Sequence, residues 1–341
     1  MNIEIATAKD QEAWDAFVTA QPQASFYHLY NWKRVFQESF GCQTTYLMAQ
    51  SKFEIKGVLP LFIIKNYLLG GNYISSLPGG VCAADEETSH QLIEAAINLT
   101  KVKKAKYLRL RDGRQFWSAD KLDTRIGYTY VLDNLPADPD IFWHKLRSTV
   151  RTRVRKARKE KLVTAWDNSK LDAFYRVYMT NMRDLGTPAI PHRFFKLATD
   201  FFPDMIKLLT VQQADRVIGG MYFSSFNQIL SNPFASSLRE SFQLCPNDLL
   251  YWEAIRYVCE NGYQKLDLGT SIENSGHARF KEKFLAVPQK IFQQYHLNSA
   301  NSLPASRGGN IYHALSKVWR YLPLPIANGF SPIIRRIIPL G

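Results

Sequence analysis

The chain has 341 residues, is 46% apolar and 13% aromatic, and so has the material for one large packed domain or two; a disordered chain is excluded. Its net charge is +13. Nine Lys/Arg and one acid between Lys145 and Lys161 contribute +8 of that, so the basicity is local and needs a local explanation.

In chain order, the N-terminus MNIEIATAKDQEAWD lacks a basic region followed by an apolar one, so no signal peptide is expected. The longest apolar run, GVLPLFII, is too short to span a bilayer, and a cytoplasmic protein is expected. The four cysteines, Cys42, Cys82, Cys245 and Cys259, form no CxxC and no zinc spacing; they read as reduced thiols, with no metal.

The stretch GVLPLF (57–62) predicts a buried strand. Leu92, Ala95, Ala96 and Leu99 fall at helical spacing, and AKYLRLRDG follows as a strand. The second half repeats the pattern: GGMYF (219–223), then Leu250, Ala254, Tyr257 and Val258 on a helix, then YQKLDLGTS. The common offset of about 160 residues suggests a duplicated unit. Each half therefore reads as helices on a mixed sheet, an α/β (α+β) layer. The predicted division is 1–135, 136–298 and a linker with tail, 299–341.

At the boundary, Asp138 is placed to cap a helix with Pro139 in its first turn. That helix is predicted to run on from Asp140 through the basic stretch for about 22 residues, roughly 33 Å. Phe142, Leu146, Val150, Val154 and Ala157 form its apolar stripe. The like charges Arg147, Arg151, Arg155 and Lys159 recur every four residues and repel one another. Either the row is a solvated face, or an anion offsets it. Arginine forks suit phosphate, so Arg147, Arg151, Arg155 and Arg158 are the candidate anion-binding residues. No base-reading motif accompanies them, so bound nucleic acid would be gripped through its backbone. Asn247 is placed to cap the helix of the second half.

The stretch LDLGTSIENSGHARFKEKF (266–284) is the best candidate site. On a strand, Leu266 and Leu268 face one way and Asp267 the other. A loop follows Gly269, and Asp267, Glu273, His277, Arg279 and Lys281 lie within 15 residues. If HARFKEKF is helical, His277 and Lys281 share a face, while Phe280 and Phe284 form another. Singly each charge is a surface charge; together, at a strand end beside a loop, they form a site. Asp267 or Glu273 could take the proton from an attacking amine. GxGxxG, Walker A, HExxH and GxSxG motifs are missing, as is the glycine-rich phosphate loop of ordinary acetyl-CoA enzymes after 229–235.

The segments SFYHLYNWKRVFQESFG, GVLPLFIIKNYLLGGNYISSLPGG, LRSTVRTRVRKARKEKLV, CPNDLLYWEAIRYVCENGYQKLDLGTS and GHARFKEKF, in this order and spacing, resemble the FemAB family of GNAT-like acyltransferases. The chain is most similar to the branch associated with exopolysaccharide and PEP-CTERM/exosortase systems. The resemblance covers most of the chain. It implies two tandem GNAT-like (acyl-CoA N-acyltransferase) lobes with a cleft between them. It implies transfer of an acyl or aminoacyl group to an amine of a peptide or sugar precursor in cell-envelope or exopolysaccharide synthesis. The donor would be aminoacyl-tRNA or acyl-CoA, with no tightly bound cofactor. The family's Phe-Lys pair falls on Phe280 and Lys281, and implies that Lys281 holds the acceptor or stabilises charge at the reacting carbonyl. Asp112 would orient the acceptor, and Tyr27, His28 and Trp32 match a family-typical aromatic cluster. Peptidoglycan-type members carry an Arg followed four residues later by Tyr; here Arg193 is followed by Leu197, which points to another acceptor, such as a sugar amine.

Two non-enzymatic readings stand beside this one. The basic helix could serve a binder of RNA or another anionic polymer. The tail has four prolines after residue 315, so one continuous helix is not expected. Its Ile333, Ile334, Ile337 and Ile338 flank Arg335 and Arg336 and could sit peripherally on the inner membrane face, although packing back on the first lobe is favoured.

Overall fold

The computed structural model describes residues 1–66, 71–113, 115–118, 121–304 and 316–337, with the backbone alone at 66, 112, 336 and 337. The chain divides into two compact units. The first comprises residues 1–127, 290–313 and 331–341, and the second 128–289 and 314–330.

The first unit contains β1 (Asn2–Ile5), α1 (Gln11–Ala20), α2 (Trp32–Phe40), β2 (Gln43–Ser51), β3 (Glu54–Asn66), β4 (Gly71–Pro78), β5 (Cys82–Ala83), α3 (Glu86–Val102) and β6 (Tyr107–Gly113). Its strands β1 to β4 are antiparallel neighbours; α3 then crosses over to bring β6 parallel to β4. Both faces of this sheet are covered, which is why β3 is apolar nearly throughout. Leu59, Leu61 and Leu108 meet Leu92 and Ala96 of α3 on one face. Tyr46 and Phe62 face the aromatic side of α1 and α2, where Trp14 stacks on Tyr46 at 5.2 Å and Phe36 meets Phe62 at 4.5 Å.

Next in the chain come β7 (Asp123–Asp133), α4 (Pro139–Lys145), α5 (Ser148–Lys159), β8 (Leu162–Trp166), α6 (Leu171–Asp184), α7 (His192–Phe201), β9 (Ile206–Gln213), β10 (Arg216–Phe226), β11 (Ile229–Ser237), α8 (Pro246–Glu260), β12 (Lys265–Thr270), α9 (Gly276–Lys283) and β13 (Val287–Leu297). In the second unit β8 to β11 are antiparallel neighbours, and α8 crosses over to bring β12 parallel to β11. This repeats the β4–α3–β6 plan, at the offset expected from the sequence. Met221, Phe223, Leu266 and Leu268 pack beneath α5 and α8. The other face of β10 meets α6, and Gly220 is required there: a Cβ would lie 2.8 Å from the Phe174 ring.

The units do not follow the expected division at 135/136 and 298/299. The strand after β6 in sequence, β7, bonds through residues 129–133 to β12. The strand after β12, β13, bonds through residues 292–297 to β6. Each unit is thus finished by a strand from a distant part of the sequence.

Two local expectations are corrected, and a third is met at a different proline. The helix predicted from Asp140 through the basic stretch is two helices. Asp138 caps the first, accepting from the Asp140 N–H at 2.9 Å, but Leu146 and Arg147 are extended (ψ 144° and 146°) between α4 and α5. Ser148 and Thr149, poor in helix interiors, sit where the second helix begins, and the break lets both halves of the apolar stripe stay buried. Asn247 does not cap α8, which starts at Pro246 behind a left-handed Cys245; its side chain accepts from Ser237 Oγ at 2.7 Å. In the tail, the helix α10 (Leu324–Ile337) runs through Pro332. The tail is nonetheless not one continuous helix, as expected: it is broken at Pro323, between α10 and the helical residues 316–320. Most of the predicted linker, and Ile338, lie outside the described residues.

Candidate functional site

The site lies in the second unit, where β11 and β12 part. Their parallel pairing consists of Ile229↔Lys265, Leu230↔Leu266 and Ser231↔Asp267, after which β11 continues along β10 alone. On its other edge β12 pairs with β7 up to Asp267↔Val131 and resumes at Thr270↔Thr129. Leu268 and Gly269 therefore form a bulge. Gly269 has φ +78°, and a Cβ there would lie 2.8 Å from the carbonyl oxygen of Asn232, so only glycine fits without strain.

Side chains lock the bulge from both ends. Asp267 points away from the core that holds Leu266 and Leu268, as its alternation predicts. Its Oδ1 accepts from Thr129 Oγ1 at 2.5 Å and from the Gly269 N–H at 2.9 Å. The chain then turns through an exposed loop carrying Glu273. Ser275 caps α9, accepting from the Ala278 N–H at 3.2 Å. One and a half turns later α9 returns Lys281 to the bulge. Its Nζ donates to the carbonyls of Gly269 at 2.7 Å and Thr270 at 3.2 Å, and lies 5.5 Å from the Tyr130 ring centre. Lys281 is 6% exposed. Burial pulls its pKa down to about 8, against the opposing attraction of Asp267. The Tyr130 hydroxyl, also buried, has no hydrogen-bond partner among the described residues.

The structure thus brings Asp267 and Lys281 together and adds Thr129, Tyr130 and Asn232, which sequence reasoning missed. Only the Asp-x-Gly spacing at a strand end carried a local signal; Thr129 is 138 residues from Asp267. Phe280 packs edge-on against Tyr251 at 4.9 Å and anchors α9, while Glu273, His277 and Arg279 are exposed. Arg193 is exposed on α7. In the first unit, Asp112 is on β6, with its side chain outside the described part. Tyr27 meets Trp32 at 4.9 Å. His28 is 1% exposed: Nδ1 accepts from the Ser25 N–H at 2.9 Å, so Nε2 carries the proton donated to the Gly80 carbonyl at 3.1 Å. Burial lowers its pKa to about 4.

The basic helix α5 has two kinds of arginine. Arg153 pairs with Asp248 at 2.9 Å and Arg158 with Glu253 at 3.1 Å; both carboxylates are buried on α8. Arg256 holds the other oxygen of Glu253 at 2.7 Å. Arg158, expected to bind an anion, is thus already engaged by a carboxylate. Arg147, Arg151 and Arg155 make no ion pair among the described residues. Arg155 lies over Trp143, 5.7 Å from its ring centre, and the Arg151 Nε is buried without a hydrogen-bond partner.

A coenzyme A pyrophosphate does not fit the start of α8, where GNAT chemistry would place it. The first turn carries Asp248, 2% exposed and already paired, and the preceding turn has no glycine to let a phosphate approach.

Comparison with known proteins agrees with this architecture. Residues 144–282 match the acetyltransferase (GNAT) domain family. The fold as a whole is shared with FemX, at a TM-score of 0.68 and 14% identity over 88% of this chain and 98% of that one. It is shared with the C-terminal domain of a putative lysylphosphatidylglycerol synthetase from Agrobacterium fabrum, at 0.61 and 12% over 86% and 94%. A tandem GNAT protein from the clavulanic acid biosynthesis pathway gives 0.53 and 13% over 89% and 99%. No curated protein sequence matches the chain.

Proposed function

We propose that this chain transfers an aminoacyl group from an oxygen ester to an amine. The observation that carries the proposal is Lys281, a buried ammonium fixed on the bulge where β11 and β12 part, in a GNAT-type domain. Attack of the amine on the ester carbonyl forms a C–N bond and places negative charge on the carbonyl oxygen. A preorganised, desolvated cation stabilises that charge more in the transition state than in the ester. The C–O bond then breaks, and the amine's proton ends on the leaving alkoxide. Glu273, an exposed carboxylate on the loop after β12, carries the proton in this scheme, while Asp267 holds the bulge. No nucleophile needs to be acylated, so the transfer is direct.

The ester donor is favoured over a thioester by the carboxylate of Asp248 at the α8 N-terminus. Arg147, Arg151 and Arg155 are the side chains offered to the donor's phosphates, as on a tRNA. The acceptor is the amine of a sugar or peptide precursor, and the setting is cell-envelope or exopolysaccharide synthesis.

The test offers the purified protein aminoacyl-tRNA and acetyl-CoA separately, with amino sugars or peptide amines as acceptors. Turnover is expected with the aminoacyl ester, and Lys281→Ala should lose it by about 10²-fold or more while keeping its circular dichroism spectrum. Undiminished transfer by that variant, or turnover with acetyl-CoA alone, would overturn the proposal.

A further inference from the structure

The helix α10 buries small and charged side chains and exposes large apolar ones. On α10, Ala327, Ser331 and Arg335, at i, i+4 and i+8, are buried at 1%, 3% and 8% exposure. Ile326, Phe330 and Ile333, at i, i+4 and i+7, are 45%, 54% and 57% exposed. A surface helix normally turns its large apolar side chains inward and its arginine outward. The residues before α10 continue the pattern: Val318 is 63% and Tyr321 86% exposed. This segment is nonetheless held in place, because Arg183 Nη1 donates to the Leu322 carbonyl at 3.1 Å.

The last part of the sequence carries charge of one sign. No acidic residue follows Glu282, whereas Lys283, Lys290, Arg307, Lys317, Arg320, Arg335 and Arg336 do. Lys317 and Arg320 are exposed next to Val318 and Tyr321. At 14 residues α10 is about 21 Å long, and no described helix is long and apolar enough to cross a membrane. A short helix with exposed Ile and Phe, preceded by the exposed Lys317, Val318, Arg320 and Tyr321, matches the interfacial region of an anionic bilayer, where apolar side chains enter the acyl boundary and cations meet the headgroups.

We propose that residues 317–333 form a docking face for an anionic lipid surface, with α10 lying in the plane of the interface. The inference does not rest on acyl transfer, and its test reads binding alone. The full-length protein is sedimented with vesicles of phosphatidylglycerol and phosphatidylcholine, and with phosphatidylcholine vesicles as control. It is expected to bind the anionic vesicles only. The combined Ile326→Ser, Phe330→Ser and Ile333→Ser variant should bind at least about tenfold more weakly, and Lys317→Glu about tenfold more weakly. All four substituted side chains are exposed, and circular dichroism verifies their folding. Failure of the wild type to bind, or wild-type binding by both variants, overturns the proposal. So does a lipid-free dimer by light scattering that the triple substitution converts to a monomer, since a second copy would then be what covers the face.

Discussion

Lys281 ties the chemistry of the site to its stability. Its pKa is about 8 in the folded chain and 10.5 in the unfolded one, because burial disfavours the ammonium. Between those values the unfolded chain binds more protons, so stability rises with pH across this window and the full cost of the buried charge remains below it. The shift corresponds to about 3 kcal/mol. Denaturant titrations of the wild type and Lys281→Met, at about pH 7.5 and about pH 10, should show the wild type gaining about 2–3 kcal/mol on the variant at the higher pH. Parallel behaviour would mean that the ammonium is as well solvated in the folded chain as in the unfolded one. At this scale the sequence was informative but incomplete. The alternation of Leu266, Asp267 and Leu268 and the helical spacing from His277 to Lys281 are local patterns. The hydroxyl of Thr129 and the ring of Tyr130 reach the site only through sheet pairing, which leaves no mark on neighbouring residues.

On the helix α5, periodicity revealed the buried stripe but could not sort the arginines. That division depends on α8, 95 residues away, whose Asp248 and Glu253 are buried against two of them. The two groups should respond oppositely to truncation. Arg153→Ala leaves the Asp248 carboxylate buried without its guanidinium and should cost about 1–3 kcal/mol in urea unfolding; the half-exposed arginine keeps the figure below that of a fully buried pair. The double variant Arg147→Ala and Arg155→Ala removes exposed, like-charged neighbours and should change stability by no more than about 0.5 kcal/mol per site. The same double variant should weaken binding of uncharged tRNA and flatten its salt dependence, by a slope of about 0.7 to 0.9 per lost phosphate contact. Unchanged affinity and slope, measured by filter binding at several salt concentrations, would return this face to a solvated surface.

At the scale of the molecule, duplication was legible because GVLPLF and GGMYF, and the two helix–strand pairs after them, recur at one offset. The division into units was not, because strand partnership is independent of sequence order. Residues 1–135 lack the strand that pairs with β6 through Leu297↔Tyr107 to Phe292↔Gly113. They also lack the buried Gln294, whose amide bonds both the N–H and the carbonyl of Trp117, at 3.0 and 2.8 Å. Expressed alone, this fragment would expose a β6 edge beside the core residues Leu108 and Leu110, a template for aggregation. Residues 136–298 likewise lack residues 129–133, which pair with β12 and carry Thr129 and Tyr130, so the bulge under Lys281 loses its lock. Size-exclusion chromatography and thermal unfolding should find neither fragment as a folded monomer. Extending the second fragment back to residue 128 should recover soluble material, because it restores an edge strand, a buried tyrosine and the partner of Asp267 together. Cooperative unfolding by residues 136–298 at the midpoint of the intact protein would show that β7 is dispensable to the unit it completes.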